Sequence, residues 1–177
     1  MPVTINGTSG LVTATSYAGA GGDLTGITTG KILQVVTVLK TDSFSTSVQV
    51  ASTADVTGLS VNITPSSSSN KIMVFGSIDC FTERTNTYNA LAHLYLIRDS
   101  TRISGKTIRT RIDNSLTTNY IHGTGPVNFM YLDSPNTTSQ TNYHIEAACH
   151  AGSQTLQVNA VSGYDMNSSL TVMEVAA

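Results

Sequence analysis

Charge is the scarcest commodity in this chain of 177 residues. Asp, Glu, Lys and Arg make up 11% of it, against roughly a quarter in ordinary soluble domains. The formal net charge is −2, so nothing global attracts the chain to nucleic acid or to an anionic membrane. Tryptophan is absent, and the aromatic residues are seven Tyr and four Phe. The two cysteines, Cys80 and Cys149, lack the spacing of a metal site and are expected as small buried core residues. No stretch approaches the roughly 20 apolar residues that span a bilayer, and membrane insertion is not expected. The opening residues Met1, Pro2, Val3 and Thr4 lack the charged and apolar regions of a secretory signal. That points to folding in a cytoplasm.

In place of charge the sequence offers Ser, Thr and Asn beside 40% hydrophobic residues. A packed core is therefore within reach and global disorder is not expected. Thr packs well on pleated surfaces, and Ser and Asn terminate turns. All three compete for a helix's backbone hydrogen bonds. The composition predicts an all-β chain.

Residues 1–30 stand apart. They hold one charged residue, Asp23, and a Gly-rich run at 18–22. Their apolar side chains are sparse, chiefly Ile5, Leu11, Val12, Tyr17, Leu24 and Ile27. A single copy buries too little there to offset chain entropy. The segment either stays disordered or borrows burial from a neighbouring subunit, a docking partner or the following domain. It is read as an anchor or assembly segment, with residues 31–177 as one domain.

From Lys31 onward, short β-branched or alternating runs are separated by turn signals. Strands are predicted at 32–39, 44–50, 56–63, 71–78, 91–97, 106–112, 127–132, 143–149, 155–161 and 170–175. At 71–78, Ile72, Val74, Gly76 and Ile78 fall on one face, with Met73 and Phe75 on the other. Turns are expected at Ser104-Gly105, 123–126, 133–136 and Ala151-Gly152. The segment 90–97 has helix-forming composition, but it is short, and apolar groups on both its faces suit a central strand. This many strands fit a jelly-roll-like antiparallel β-sandwich.

Signals of catalysis are weak. There is no nucleophile elbow, phosphate loop or dinucleotide fingerprint, and no cofactor is expected. His144, Glu146 and His150 are separated by even numbers and could share a strand face as part of a metal site. A half-exposed polar face explains them more simply. Five basic residues fall between 98 and 111: Arg98, Arg102, Lys106, Arg109 and Arg111. Arg109 and Arg111 belong either to a patch for anionic surface glycans or to a solvated strand edge that resists aggregation. Tyr88, Tyr120 and Tyr164 lie in or near predicted loops. They are candidates for a sugar-stacking platform, though buried Tyr is the commoner outcome.

Two stretches carry a resemblance. One runs through Ile5-Asn6-Gly7-Thr8-Ser9-Gly10, Ser16-Tyr17-Ala18-Gly19 and Gly22-Asp23-Leu24-Thr25-Gly26-Ile27. The other runs through Lys31-Ile32-Leu33-Gln34-Val35-Val36, Thr41-Asp42-Ser43-Phe44-Ser45-Thr46, Val56–Pro65 and Asn70-Lys71-Ile72-Met73-Val74. With the closing residues 170–177, these stretches resemble tail-fibre and head-fibre-like virion proteins of tailed bacteriophages, the marine and cyanobacterial ones above all. Residues 80–165 match less well. The resemblance implies a non-enzymatic fibre, spike or decoration subunit of the virion. It would be a homotrimer, docked through its N-terminus to capsid, portal or tail proteins. The competing expectations are a lectin-like, receptor-binding head for host surface glycans and, more remotely, a small polysaccharide hydrolase.

Overall fold

In the computed structural model, residues 31–84, 89–111, 121–160 and 166–177 are described. The expectations placed on 1–30, Tyr88, Tyr120 and Tyr164 lie outside these residues. The described chain is built from strands because its apolar side chains recur at every second position. Adjacent side chains on a strand point to opposite faces, so one face of each strand buries. Ten strands result: β1 (Ile32–Lys40), β2 (Phe44–Thr46), β3 (Ala54–Ile63), β4 (Lys71–Arg84), β5 (Asn89–Arg98), β6 (Thr101–Arg111), β7 (Ile121–Asp133), β8 (Thr141–Cys149), β9 (Gln154–Val158) and β10 (Ser168–Val175). The helix-like segment 90–97 is indeed strand, and β5 lies between β8 and β6 inside its sheet.

The strands pair, all antiparallel, into two sheets. In the first sheet β7 pairs with one side of β4. Along the other side β10 faces residues 71–77 and β9 faces 80–84. β1 then pairs with β10, and β2 with β9. Thus β1 with β2, and β9 with β10, form two interrupted rows, and the ten strands make eight rows. The second sheet has the order β3-β8-β5-β6. Counted by rows along the chain, the first sheet reads 1-8-3-6 and the second 2-7-4-5. That is the jelly roll, two four-row sheets wrapped as Greek keys.

The inner faces meet in one core. Ile72, Val74, Ile78, Leu170, Val172 and Phe129 come from the first sheet, and Leu59, Val61, Leu94, Leu96, Tyr143 and Ile145 from the second. Cys80 and Cys149 are buried as expected. Burial pushes the Cys80 thiol up to about 12, and it raises Cys149 as well. Such thiols are poor nucleophiles.

Two polar groups are buried with their partners. Glu174 projects inward from β10. Its Oε1 accepts hydrogen bonds from the Ser66 backbone N–H (2.7 Å), the Ser66 hydroxyl (2.7 Å) and Asn70 Nδ2 (2.6 Å). Its Oε2 accepts one from Gln34 Nε2 (2.6 Å). The carboxylate thereby ties β1, β10 and the β3–β4 loop together. The second group is Asp133 at the end of β7. It accepts bonds from Arg98 Nη1 (2.9 Å to each oxygen) and from the Tyr143 hydroxyl (2.7 Å), joining the first sheet to β5 and β8 of the second. Burial, and then the bond to Asp133, raise the Tyr143 phenol above its ordinary pKa. Tyr143→Phe is expected to cost about 1–2 kcal/mol in urea unfolding, since Asp133 loses one donor but keeps Arg98.

Several expected boundaries are corrected. Ser104-Gly105 is not a turn; it lies inside β6, and the chain reverses at Asp99-Ser100, with Asp99 at φ 52°. Asp tolerates that left-handed conformation in a two-residue hairpin. Gly105 sits in the strand because the Tyr95 ring lies over it; a Cβ there would come within 3.1 Å of the ring. Residues 123–126 are not a turn either. They lie within β7, where Pro126 pairs with Asp79. β7 pairs only with β4 among the described strands, and an edge strand tolerates the amide that proline lacks. β2 stops at Thr46 instead of continuing to Val50. Residues 48–50 cross to the end of β8, where the Cys149 amide donates to the Val48 carbonyl (2.7 Å).

Candidate assembly face

The outward side of the first sheet presents three complete cross-strand rows. Val35, Met173, Met73 and Leu132 form the first. Thr37, Thr171, Phe75 and Met130 form the second, and Leu39, Ser169, Ser77 and Asn128 the third. No side chain in these rows is charged. Met130 is 75% exposed, Leu39 61%, Val35 53% and Leu132 52%. Ile32 and Leu33 extend the apolar surface along β1. The rows follow from the same period of two that builds the core: β1 and β4 carry apolar groups at odd positions as well as even ones. A strand buried on one face alone needs polar groups on the other; here charge is missing from the rows, and seven of the twelve positions are apolar.

The outward side of the second sheet is different in kind. It carries Asp55, His144 and Glu146 together, from β3 and β8. Alongside, on β5, His93 stacks on Tyr95 with ring centroids 5.9 Å apart, and the Arg102 guanidinium sits 3.5 Å over the Tyr95 ring. Burial, then the neighbouring His150 and Arg102, lower the His93 pKa. Of the three residues that could share this face, His144 and Glu146 come together with Asp55. β8 ends at Cys149, and His150, just beyond it, lies 5.8 Å ring to ring from His93. Asp55, which the sequence does not single out, takes its place from the adjacent strand.

Of the proposed glycan-facing residues, Arg109 is exposed on β6, and Arg111 ends that strand. Arg102 and Lys106 are exposed on the same strand, which is an edge of the second sheet. Arg98, counted with them in the sequence, is instead half-buried against Asp133. The anchor residues Ile5, Leu11, Val12, Tyr17, Leu24 and Ile27, like Tyr88, Tyr120 and Tyr164, belong to the part of the chain that is not described.

The sequence matches no protein-family model and no curated protein. Among solved structures, the chain is similar to the VP2 subviral particle of infectious bursal disease virus, at 22% identity and a TM-score of 0.34 over 81% of this chain. It is likewise similar to the structure of the Gt strain of that virus, at 20% identity and a TM-score of 0.33 over 81% of this chain. It spans 37% and 38% of the length of those two chains.

Proposed function

We propose that this chain is a non-enzymatic structural subunit of a virus particle, and that the outer face of its first sheet packs against a second copy of itself. The observation that carries this reading is the trio of uncharged rows on that face, seven of whose twelve side chains are apolar. Four strands about 4.8 Å apart, each covering five residues at about 3.4 Å per residue, make a patch of a few hundred Å². Exposed apolar patches of a few hundred Å² are often functional, and each copy would contribute one such patch, extended along β1 by Ile32 and Leu33, toward the ~800 Å² per partner of a standard interface. Two copies meeting there leave no charge unpaired. The resemblance of residues 5–74 and 170–177 to phage fibre proteins supports the finer reading, a homotrimeric fibre, spike or decoration subunit docked to capsid, portal or tail through residues 1–30.

Sedimentation equilibrium of the whole chain tests the assembly claim. A discrete oligomer, a trimer in the finer reading, is expected at micromolar concentration. A monomer throughout that range would refute it. A second reading, adhesion to anionic host glycans, draws support from exposed Arg102, Lys106 and Arg109 on β6. Edge protection alone also accounts for these charges, and saturable binding on a glycan array separates the two.

A further inference from the structure

We propose that Asp55, His144 and Glu146 form a binding site for a first-row divalent metal ion, Zn²⁺ above all, on the outer face of the second sheet. The site arises from an irregularity in β3. Asp55 pairs with Glu146 and Ser60 with His144, so five steps along β3 face two along β8. Gly58, at φ 86°, lies within this bulge and adopts a conformation that side-chain-bearing residues avoid. Bulges of this kind re-aim side chains. Here the effect is to set Asp55 directly across from Glu146, with His144 two residues along β8 on the same face.

The donor atoms converge. His144 Nε2 lies 3.6 Å from Asp55 Oδ1 and 3.7 Å from Glu146 Oε1, and the three ligand atoms lie within 4.8 Å of one another. Ligands about 2.0–2.2 Å from a tetrahedral ion sit roughly 3.3–3.5 Å apart, so small side-chain adjustments close the site.

A residue outside the cluster orients the imidazole. The Asn142 amide nitrogen donates to Ser60 Oγ (2.8 Å) and Asn62 Oδ1 (2.7 Å). Its oxygen is thereby turned to His144 Nδ1, at 2.8 Å. In the neutral ring Nδ1 then carries the hydrogen and donates it, and Nε2 turns a bare lone pair toward the carboxylates. Metal-binding histidines are held in this way, the far ring nitrogen bonded to an acceptor. Two carboxylates directly opposite on neighbouring strands repel, and among the described residues neither pairs with Lys or Arg. Three acceptors pointed at one space call for a cation.

The donor set selects its class. One imidazole with two carboxylates suits Zn²⁺ and, more weakly, Mn²⁺, whereas Ca²⁺ and Mg²⁺ favour all-oxygen shells. The Asp55 side chain is 74% exposed, which leaves room for water to complete the coordination. A bound ion would fasten β3 to β8 across the bulge and raise the melting temperature by mass action.

The test uses the full chain, stripped of metal with a chelator and titrated with zinc chloride by calorimetry at neutral pH. One ion per chain is expected to bind in the micromolar range, with a matching rise in melting temperature and weaker binding of Mn²⁺. Asp55→Asn and His144→Gln should each weaken it about 10- to 100-fold, and His150→Gln should leave it unchanged. Should His144→Gln fail to fold, Asp55→Asn decides, since that side chain is exposed. The proposal is overturned if no saturable binding occurs below about 1 mM, a free energy of only about 4 kcal/mol. It is equally overturned if Asp55→Asn binds as tightly as the parent or if binding is lost in His150→Gln. Unchanged NMR shifts of the His144 imidazole on adding zinc also refute it.

Discussion

Met130→Glu is expected to turn the oligomer into monomers without unfolding the subunit. Met130 lies in the middle row of the uncharged face and is the most exposed of its large apolar side chains. In an isolated subunit a glutamate there stays in water and costs little, because surface substitutions away from special features fall within about 0.5 kcal/mol. In the assembly the same carboxylate would be desolvated among Phe75, Thr171 and apolar groups of the other copy. A penalty of about 3 kcal/mol or more follows for an unpaired buried charge, equivalent to roughly a 100-fold weaker association. Sedimentation equilibrium reads the dissociation, and a thermal melt shows whether the subunit is intact. Lys106→Glu, on exposed β6 of the other sheet, is the control and should leave association unchanged. If Met130→Glu sediments as the parent protein does, the face is not an interface.

Glu174→Gln is expected to remove most of the acid sensitivity of the head. Burial alone would raise this carboxyl's pKa. The hydrogen bonds from Asn70, Gln34 and Ser66 outweigh burial and hold it at about 2, against an ordinary 4.5. A carboxyl whose folded pKa is depressed adds stability that is fully present above the unfolded value. That stability drains away as pH falls from about 4.5 toward about 2. In the glutamine variant there is no proton to take up, so this part of the pH dependence should vanish. At neutral pH the variant should be less stable by about 2–3 kcal/mol, because an amide N–H₂ replaces an acceptor facing donors on every side. Urea unfolding at pH 7, 4 and 2.5 measures both effects. Parallel pH profiles for the two proteins would show that Glu174 is not the titrating group.

Much of the fold was legible because burial in a sandwich writes itself at period two. Ile72, Val74 and Ile78 point inward and Met73 and Phe75 outward, as their alternation says. The failures have a common cause. Gly105 and Pro126 were read as breakers from local preference, yet each is tolerated by what lies beside it: the Tyr95 ring over one, an open strand edge next to the other. Sites fared worse than strands because pairing across the sheet is invisible in a linear pattern. Nothing local brings Asp55 to Glu146, which depends on the bulge around Gly58 and on β3 choosing β8 as neighbour. The uncharged face is likewise assembled from β1, β10, β4 and β7, four segments that are scattered along the chain. Each contributes only one or two apolar groups to the rows, and only the sheet order lines them up.

The row order also dictates a timetable. The hairpin of β5 and β6 closes over Asp99-Ser100, β4 with β7 encloses it, β3 with β8 encloses that, and β1 with β10 is outermost, pairing Ile32 with Val175. Each wrap spans a longer loop than the last, so its closure entropy is greater. Such distant pairings put the domain among slow folders, in the millisecond-to-second range. During synthesis β1 emerges early and waits for β10, holding its inward Val36 and Val38 bare throughout. A nascent chain of this design is most at risk of sticking to its neighbours just before β10 is made.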